Sequence, residues 1–286
     1  MRTPGELVAS VRHLASLPAS FQRVKRVLDD PRGSGTQLAE LITCDPGMSA
    51  AVLRVVNSAY FGIPGGVETV SHALWVLGMQ RVHDIVLATS LATTFRGIPA
   101  AQMDMERYWR ASVLRSVAAR SAARLHGITD LERLLVEGLL ADIGHLVMYL
   151  MIPALAEQAR RVAAAESRPL EAVERSLIGY DAAAVGASLI RTWNLPDTFA
   201  VAIGAQHHPA TAGQRPLEAS LLNVANAIVF AVERNLNGDE MRSLVAPTVA
   251  EVVDFPLEAL TDIRTEAVAN IDAAMSMFFP GLANAA

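Results

Sequence analysis

The stretch Met48-Ser49-Ala50-Ala51-Val52-Leu53-Arg54-Val55-Val56-Asn57-Ser58-Ala59-Tyr60-Phe61 places Met48, Val52, Val55, Val56, Ala59 and Tyr60 on a single stripe. Steps of three and four residues are the signature of a helix that packs one face on a core, and a strand would alternate instead. Asp45-Pro46, just ahead, offers an N-cap followed by a first-turn proline. Further along, Val113, Leu114, Val117, Ala118, Ser121, Ala122 and Leu125 repeat the period, as do Leu221, Leu222, Ala225, Ile228, Val229 and Val232. Runs of strict alternation rich in Val, Ile and Thr are hard to find, so the expected fold class is all-α.

Punctuation falls between these segments. Asp30 to Gly35 reads as a turn, and Ser34 with Gln37 fits a capping box. Thr129 with Glu132 fits a second box ahead of a helix running through Leu140. Arg96-Gly97-Ile98-Pro99 marks the expected boundary between two lobes, residues 1–100 and 101–286. The most apolar stretch, Leu139 to Ala156, contains Asp142 and His145, and is read as a buried helix and not a membrane span.

The 286 residues suffice for one large domain or two smaller ones. With 24 Lys+Arg against 29 Asp+Glu, the chain lacks the basic footprint that binding a nucleic-acid backbone requires. One cysteine, Cys44, rules out an internal disulfide and any multi-cysteine zinc site. The start of the sequence lacks the layout of a secretory signal, and a cytoplasmic location is expected.

Chemistry-bearing residues are few. Asp142 and His145 stand three apart in an apolar run, either as part of a metal or phosphate site or as a buried pair satisfied by its neighbours. Gln206-His207-His208-Pro209 follows Trp193-Asn194-Leu195-Pro196; adjacent histidines on a helix diverge by about 100°, so one at most faces a given site. His83-Asp84 is read as a chance pair on a half-exposed helix. No phosphate-binding glycine loop, nucleophile elbow or His-Glu-x-x-His helix occurs.

Taken in order, these pieces resemble the HDOD family, relatives of the HD metal-dependent phosphohydrolases. The resemblance rests on Leu17-Pro18, Leu38 to Ile42 with Asp45-Pro46, Asn57-Ser58-Ala59-Tyr60-Phe61-Gly62 and Leu77-Gly78 in the first half. The second half adds Tyr108-Trp109-Arg110, Gly138-Leu139-Leu140-Ala141-Asp142-Ile143-Gly144-His145, Gly179-Tyr180-Asp181, Trp193-Asn194-Leu195-Pro196 and His207-His208-Pro209. It implies a two-lobed helical bundle whose second lobe is similar to the HD core. It also implies where metal ligands would stand, and there this chain departs from the pattern: Ala111 and Ala141 replace histidines, Ala182 follows Asp181, and Asn223 and Asn226 stand where a late aspartate is expected. Asp142, His145, His207 and His208 survive.

Too few ligands remain for a two-metal site. The expectation is therefore a non-catalytic bacterial signal-transduction domain that binds no cofactor and acts through contacts with other signalling proteins, as the output part of a response-regulator or cyclic-nucleotide pathway. Neither nucleic acid nor membrane is an expected partner, and the segment Arg96 to Ala101 is the hinge candidate. The alternative is a residual phosphohydrolase acting on a nucleotide or cyclic dinucleotide, its metal held by Asp142 with His207 or His208. Between them lies a small nucleotide ligand bound but not cut, with Arg110, Arg115 and His145 as phosphate donors.

Overall fold

A computed structural model of the chain describes residues 2–10, 19–58, 61–94 and 103–279. The described residues contain helices and connecting turns and no strand. In chain order the helices are α1 (Pro4–Ala9), α2 (Ala19–Asp29), α3 (Gly35–Thr43), α4 (Pro46–Val56), α5 (Val70–Leu77) and α6 (Met79–Thr94). They continue as α7 (Met105–Leu125), α8 (Leu131–Leu140), α9 (Ile143–Met151), α10 (Pro153–Glu166), α11 (Leu170–Ile178), α12 (Ala182–Thr192) and α13 (Asp197–Ala205). The last three are α14 (Pro216–Arg234), α15 (Gly238–Ser243) and α16 (Leu257–Phe278).

The chain divides into two compact units, but not as residues 1–100 and 101–286. One comprises Met1–Ser16 with Gly97–Val268, the other Leu17–Arg96 with Ala269–Ala286. The terminal segments are exchanged because their apolar side chains need a core that is distant in sequence. Leu7 and Val8 of α1 are buried, and α1 packs on α9 and α12. At the other end Met277 is buried, with its sulfur accepting from the Ser58 hydroxyl at 3.2 Å inside the smaller unit. The hinge candidate Arg96 to Ala101 lies outside the described residues, as do Leu17-Pro18 and Ala59-Tyr60.

In the smaller unit the expected local signals form. The Ser34 hydroxyl accepts from the Gln37 amide at 3.2 Å while the Gln37 side chain accepts from the Ser34 amide at 3.1 Å, and the Asp45 carboxylate caps α4 through the Met48 amide at 3.0 Å. Met48, Val52, Val55 and Val56 of the founding stripe are buried. Asn57 then pairs with the backbone of Val67 in both directions, at 2.7 and 2.6 Å, so its side chain closes the loop between α4 and α5. His83 and Asp84 are not half-exposed: both are buried, bonded to each other at 2.9 Å, with Gln80 donating to Asp84 at 3.0 Å and Phe21 against the His83 ring. A charge-bearing pair on an inward face requires this mutual satisfaction.

In the larger unit α7 packs on α8 and α14, and α12 on α9 and α13. Two glycines permit the closest approaches. A Cβ on Gly138 would come 2.6 Å from the Ser116 Cα, and one on Gly144 would come 1.9 Å from the Ala182 carbonyl oxygen and 2.7 Å from the Gly186 nitrogen. The apolar stretch from Leu139 to Ala156 is three helices and not one: α8 stops at Leu140, Asp142 opens α9, and Pro153, which has no amide hydrogen to donate, opens α10. The Thr129–Glu132 box does not form; Asp130 precedes α8, and its side chain makes no cap bond. Leu131–Met151 and Pro216–Arg234 are long and apolar enough to cross a membrane, with 78% and 67% of that apolar window buried inside the protein.

Substituting Gly144→Ala drives a methyl group into backbone that cannot give way. It is expected to cost at least about 2 kcal/mol in urea unfolding. Gly5→Ala, where the nearest atom is 3.8 Å away, is expected to be neutral or slightly stabilising.

Candidate functional site

The junction of α8 and α9 places Asp142 at the centre of a charged cluster. Its Oδ1 lies 2.6 Å from His145 Nδ1, as the spacing of three suggested, and His145 Nε2 lies 2.8 Å from Oε1 of Glu174 on α11. The other oxygen of Glu174 accepts from the Ala182 amide at 3.0 Å, so this nearly inaccessible carboxylate also caps the start of α12. An imidazole that donates from both nitrogens is an imidazolium. Burial opposes that charge, but Asp142 and Glu174 outweigh it and raise the His145 pKa well above its ordinary value.

A second cation faces the other oxygen of Asp142. Tyr108, Ser112 and Arg115 follow one another at i, i+4 and i+7 along an inward face of α7. The Arg115 guanidinium is 3.8 Å from Asp142 Oδ2 through Nη2, and its Nε donates to Asn226 Oδ1 at 2.6 Å. Asn226 donates to the Gln206 side chain at 2.9 Å, and Gln206 donates to the carbonyl of Ala141 at 2.6 Å, next to Asp142. The ring therefore closes on itself through α7, α14, the end of α13 and the α8–α9 turn. Burial works against ionised Asp142, yet His145 and Arg115 together hold its pKa down to about 2.

The two adjacent histidines separate, beyond the end of α13. His207 sits half-buried with Asp142, Asp181, Glu171 and His145 as electrostatic neighbours; burial pushes its pKa down and the three carboxylates oppose this. His208 is exposed, its Nε2 2.8 Å from the Arg175 guanidinium, which also pairs with Asp181. Asp181 caps α12 through the Ala184 amide at 2.9 Å.

Of the positions singled out in the sequence, Asp142, His145, His207 and Asn226 converge. Ala141 and Ala182 join the network through backbone atoms alone, and Ala111 lies partly exposed on α7. Of the three expected phosphate donors, Arg115 is mid-helix and buried, and both it and His145 face Asp142; Arg110 is exposed. Glu174 and Arg175 escaped sequence reading. Glu174 left one trace: it stands four residues before buried Ile178, a carboxylate in an apolar row.

Among the described residues no group of three or more His, Cys, Asp or Glu side chains is arranged to hold a metal ion. The donor set does not fit a catalytic metal: one oxygen of Asp142 is bonded to an imidazolium, the other faces a guanidinium, and the neutral Asn226 is already bonded to that same guanidinium.

The HDOD domain model matches residues 14–209. A curated relative, an uncharacterized protein of Treponema pallidum (strain Nichols), is 21% identical over 196 residues, which span 68% of this chain and 38% of that protein. Among solved structures, one from Shewanella amazonensis SB2B, called "Putative phosphohydrolase", has a TM-score of 0.72 at 25% identity, covering 95% of this chain and 96% of its own. An HDOD domain protein with unknown function from Geobacter sulfurreducens has a TM-score of 0.70 at 16% identity, covering 92% and 93%. A "Putative signal transduction protein" from Marinobacter aquaeolei VT8 has a TM-score of 0.68 at 22% identity, covering 93% of this chain and 59% of that one.

His145 is expected to carry stability that depends on its charge. A group whose folded pKa is raised contributes fully below its unfolded value, near 6.5, and the contribution is lost as pH rises through the folded value. Urea midpoints of the native chain should therefore fall above about pH 7, and His145→Ala should remove that slope while costing about 3 kcal/mol at neutral pH, because Glu174 is left buried and unpaired.

Proposed function

The chain belongs to the HDOD domain family, and from that premise we propose that it is a non-catalytic regulatory domain of bacterial signal transduction, working in the cytoplasm through contacts with other signalling proteins. The observation that carries this reading is the Arg115 guanidinium lying against both Asp142 and Asn226. Metal-assisted hydrolysis needs a cation with open coordination positions that lowers the pKa of bound water. A guanidinium offers donors only and activates no water. With Ala111, Ala141 and Ala182 contributing no ligating side chain, what remains of the site serves to hold α7, α9, α11, α12 and α14 in register.

A second reading is favoured by one comparison, the resemblance at 25% identity to the Shewanella protein whose name includes phosphohydrolase. In it Asp142 with His207 holds a single ion and the chain cleaves a nucleotide or cyclic dinucleotide. His208 is drawn away from that role by Arg175. A third role, a nucleotide retained without cleavage, would have to use donors other than His145, both of whose ring nitrogens are engaged.

Protein purified without chelator from cells supplied with iron, manganese and nickel is expected to carry no stoichiometric metal and to leave bis(p-nitrophenyl) phosphate and a panel of nucleotides and cyclic dinucleotides uncut. A bound equivalent of transition metal together with turnover abolished by Asp142→Ala would replace this reading with the hydrolase. A nucleotide that raises the melting temperature without being consumed would instead establish the ligand role.

A further inference from the structure

Arg115 is held at a cost. Its side chain is more than nine-tenths buried, and its Nη1 has no hydrogen-bond partner within the protein. A buried donor without an acceptor is unfavourable, and a buried guanidinium more so. Stability alone does not select such a residue when an apolar one of similar volume would fill the space. Its charge is compensated by the carboxylate of Asp142, whose Oδ2 lies 3.8 Å from Nη2, while Nε is satisfied by Asn226.

We infer that Arg115 is the resident cation of this pocket, occupying the position and supplying the charge that a divalent transition-metal ion would, and that removing its charge turns Asp142, Asn226 and His207 into a site for such an ion. The inference rests on the non-catalytic reading above and deepens it, because it names the residue that closes the pocket to metal. Two oxygens and one imidazole nitrogen are donors suited to Mn²⁺, Ni²⁺ or Zn²⁺. They are carried by three separate elements that the Gln206 ring already holds together: the α8–α9 turn, α14 and the end of α13. A guanidinium and a divalent ion in this space exclude each other by charge and by volume.

Binding of Mn²⁺ and Zn²⁺ is measured by calorimetry and by thermal unfolding for the native 286-residue chain, Arg115→Gln, Arg115→Lys and the double variant Arg115→Gln/Asp142→Asn. Arg115→Gln keeps an amide donor for Asn226 while losing the charge, and is expected to bind one equivalent of metal and to melt several degrees higher in its presence. The native chain and Arg115→Lys, both of which keep a cation there, should show neither effect, and the double variant should lose the gain. If Arg115→Gln does not fold alone, Arg115→Met is tested with it, and recovery of the native circular dichroism on adding metal counts as the gain. Metal binding by the native chain, or the absence of any gain in Arg115→Gln and Arg115→Met with metal present, overturns the inference. Phosphodiester turnover by the native chain would overturn the non-catalytic reading, whereas inert native protein with metal-blind Arg115 variants would overturn this inference alone.

Discussion

The carboxylate of Asp142 is the constraint on which the larger unit is organised. It lies at a break between two helices, in a run of apolar residues, and an ionised group there is stabilised by cations close to both oxygens. His145 answers one oxygen and Arg115 the other. Each of those cations in turn requires support. His145 reaches Glu174 on α11, which caps α12, and Arg115 reaches Asn226 on α14, which holds Gln206 and through it the turn that carries Asp142. One partly buried charge thereby ties together α7, α9, α11, α12, α13 and α14. The two close crossings, α7 over α8 at Gly138 and α9 over α12 at Gly144, are what bring these side chains within bonding distance.

How much of this could be read in the chain depended on sequence separation. The caps at Ser34 and Asp45 and the pairing of Asp142 with His145 span three residues each, and local spacing encodes them directly. The helical stripe through Met48 was equally legible, because a face that meets a core must repeat its apolar residues. Arg115 and Asn226 are 111 residues apart, and His145 and Glu174 are 29 apart. No periodicity links such pairs, so Arg115 was offered as a donor to a phosphate until tertiary contacts placed it against Asp142. The same limit misled the reading of His83 and Asp84, whose burial against Phe21 depends on α2 packing on α6. The alanines at 111, 141 and 182 were visible only against the family pattern; nothing in their own chemistry announces a missing ligand.

The resulting network is mostly contact between polar side chains, joined to the backbone at Ala141 and Ala182. Such networks contribute less to net stability than their bond count suggests, since desolvation offsets much of the gain. Their stronger effect is on geometry: a ring of bonds through Arg115, Asn226, Gln206 and Ala141 permits one register of α7 against α14 and penalises its neighbours. On the proposed reading, a domain that presents helix surfaces to partners needs this kind of fixed register more than it needs reactive groups.

The exchange of the terminal segments bears on how the chain is made. The smaller unit draws on residues 17–96 and then on residues 269–286, with the whole of α7 to α15 synthesised in between. An N-terminal lobe that folds as it leaves the ribosome is the common order for divided chains. Here that lobe has to wait for its closing segment, so the larger unit is the first able to complete its core. A single proteolytic cut anywhere between α6 and α16 likewise cannot release the smaller unit whole, because its two pieces would part company with the fragments.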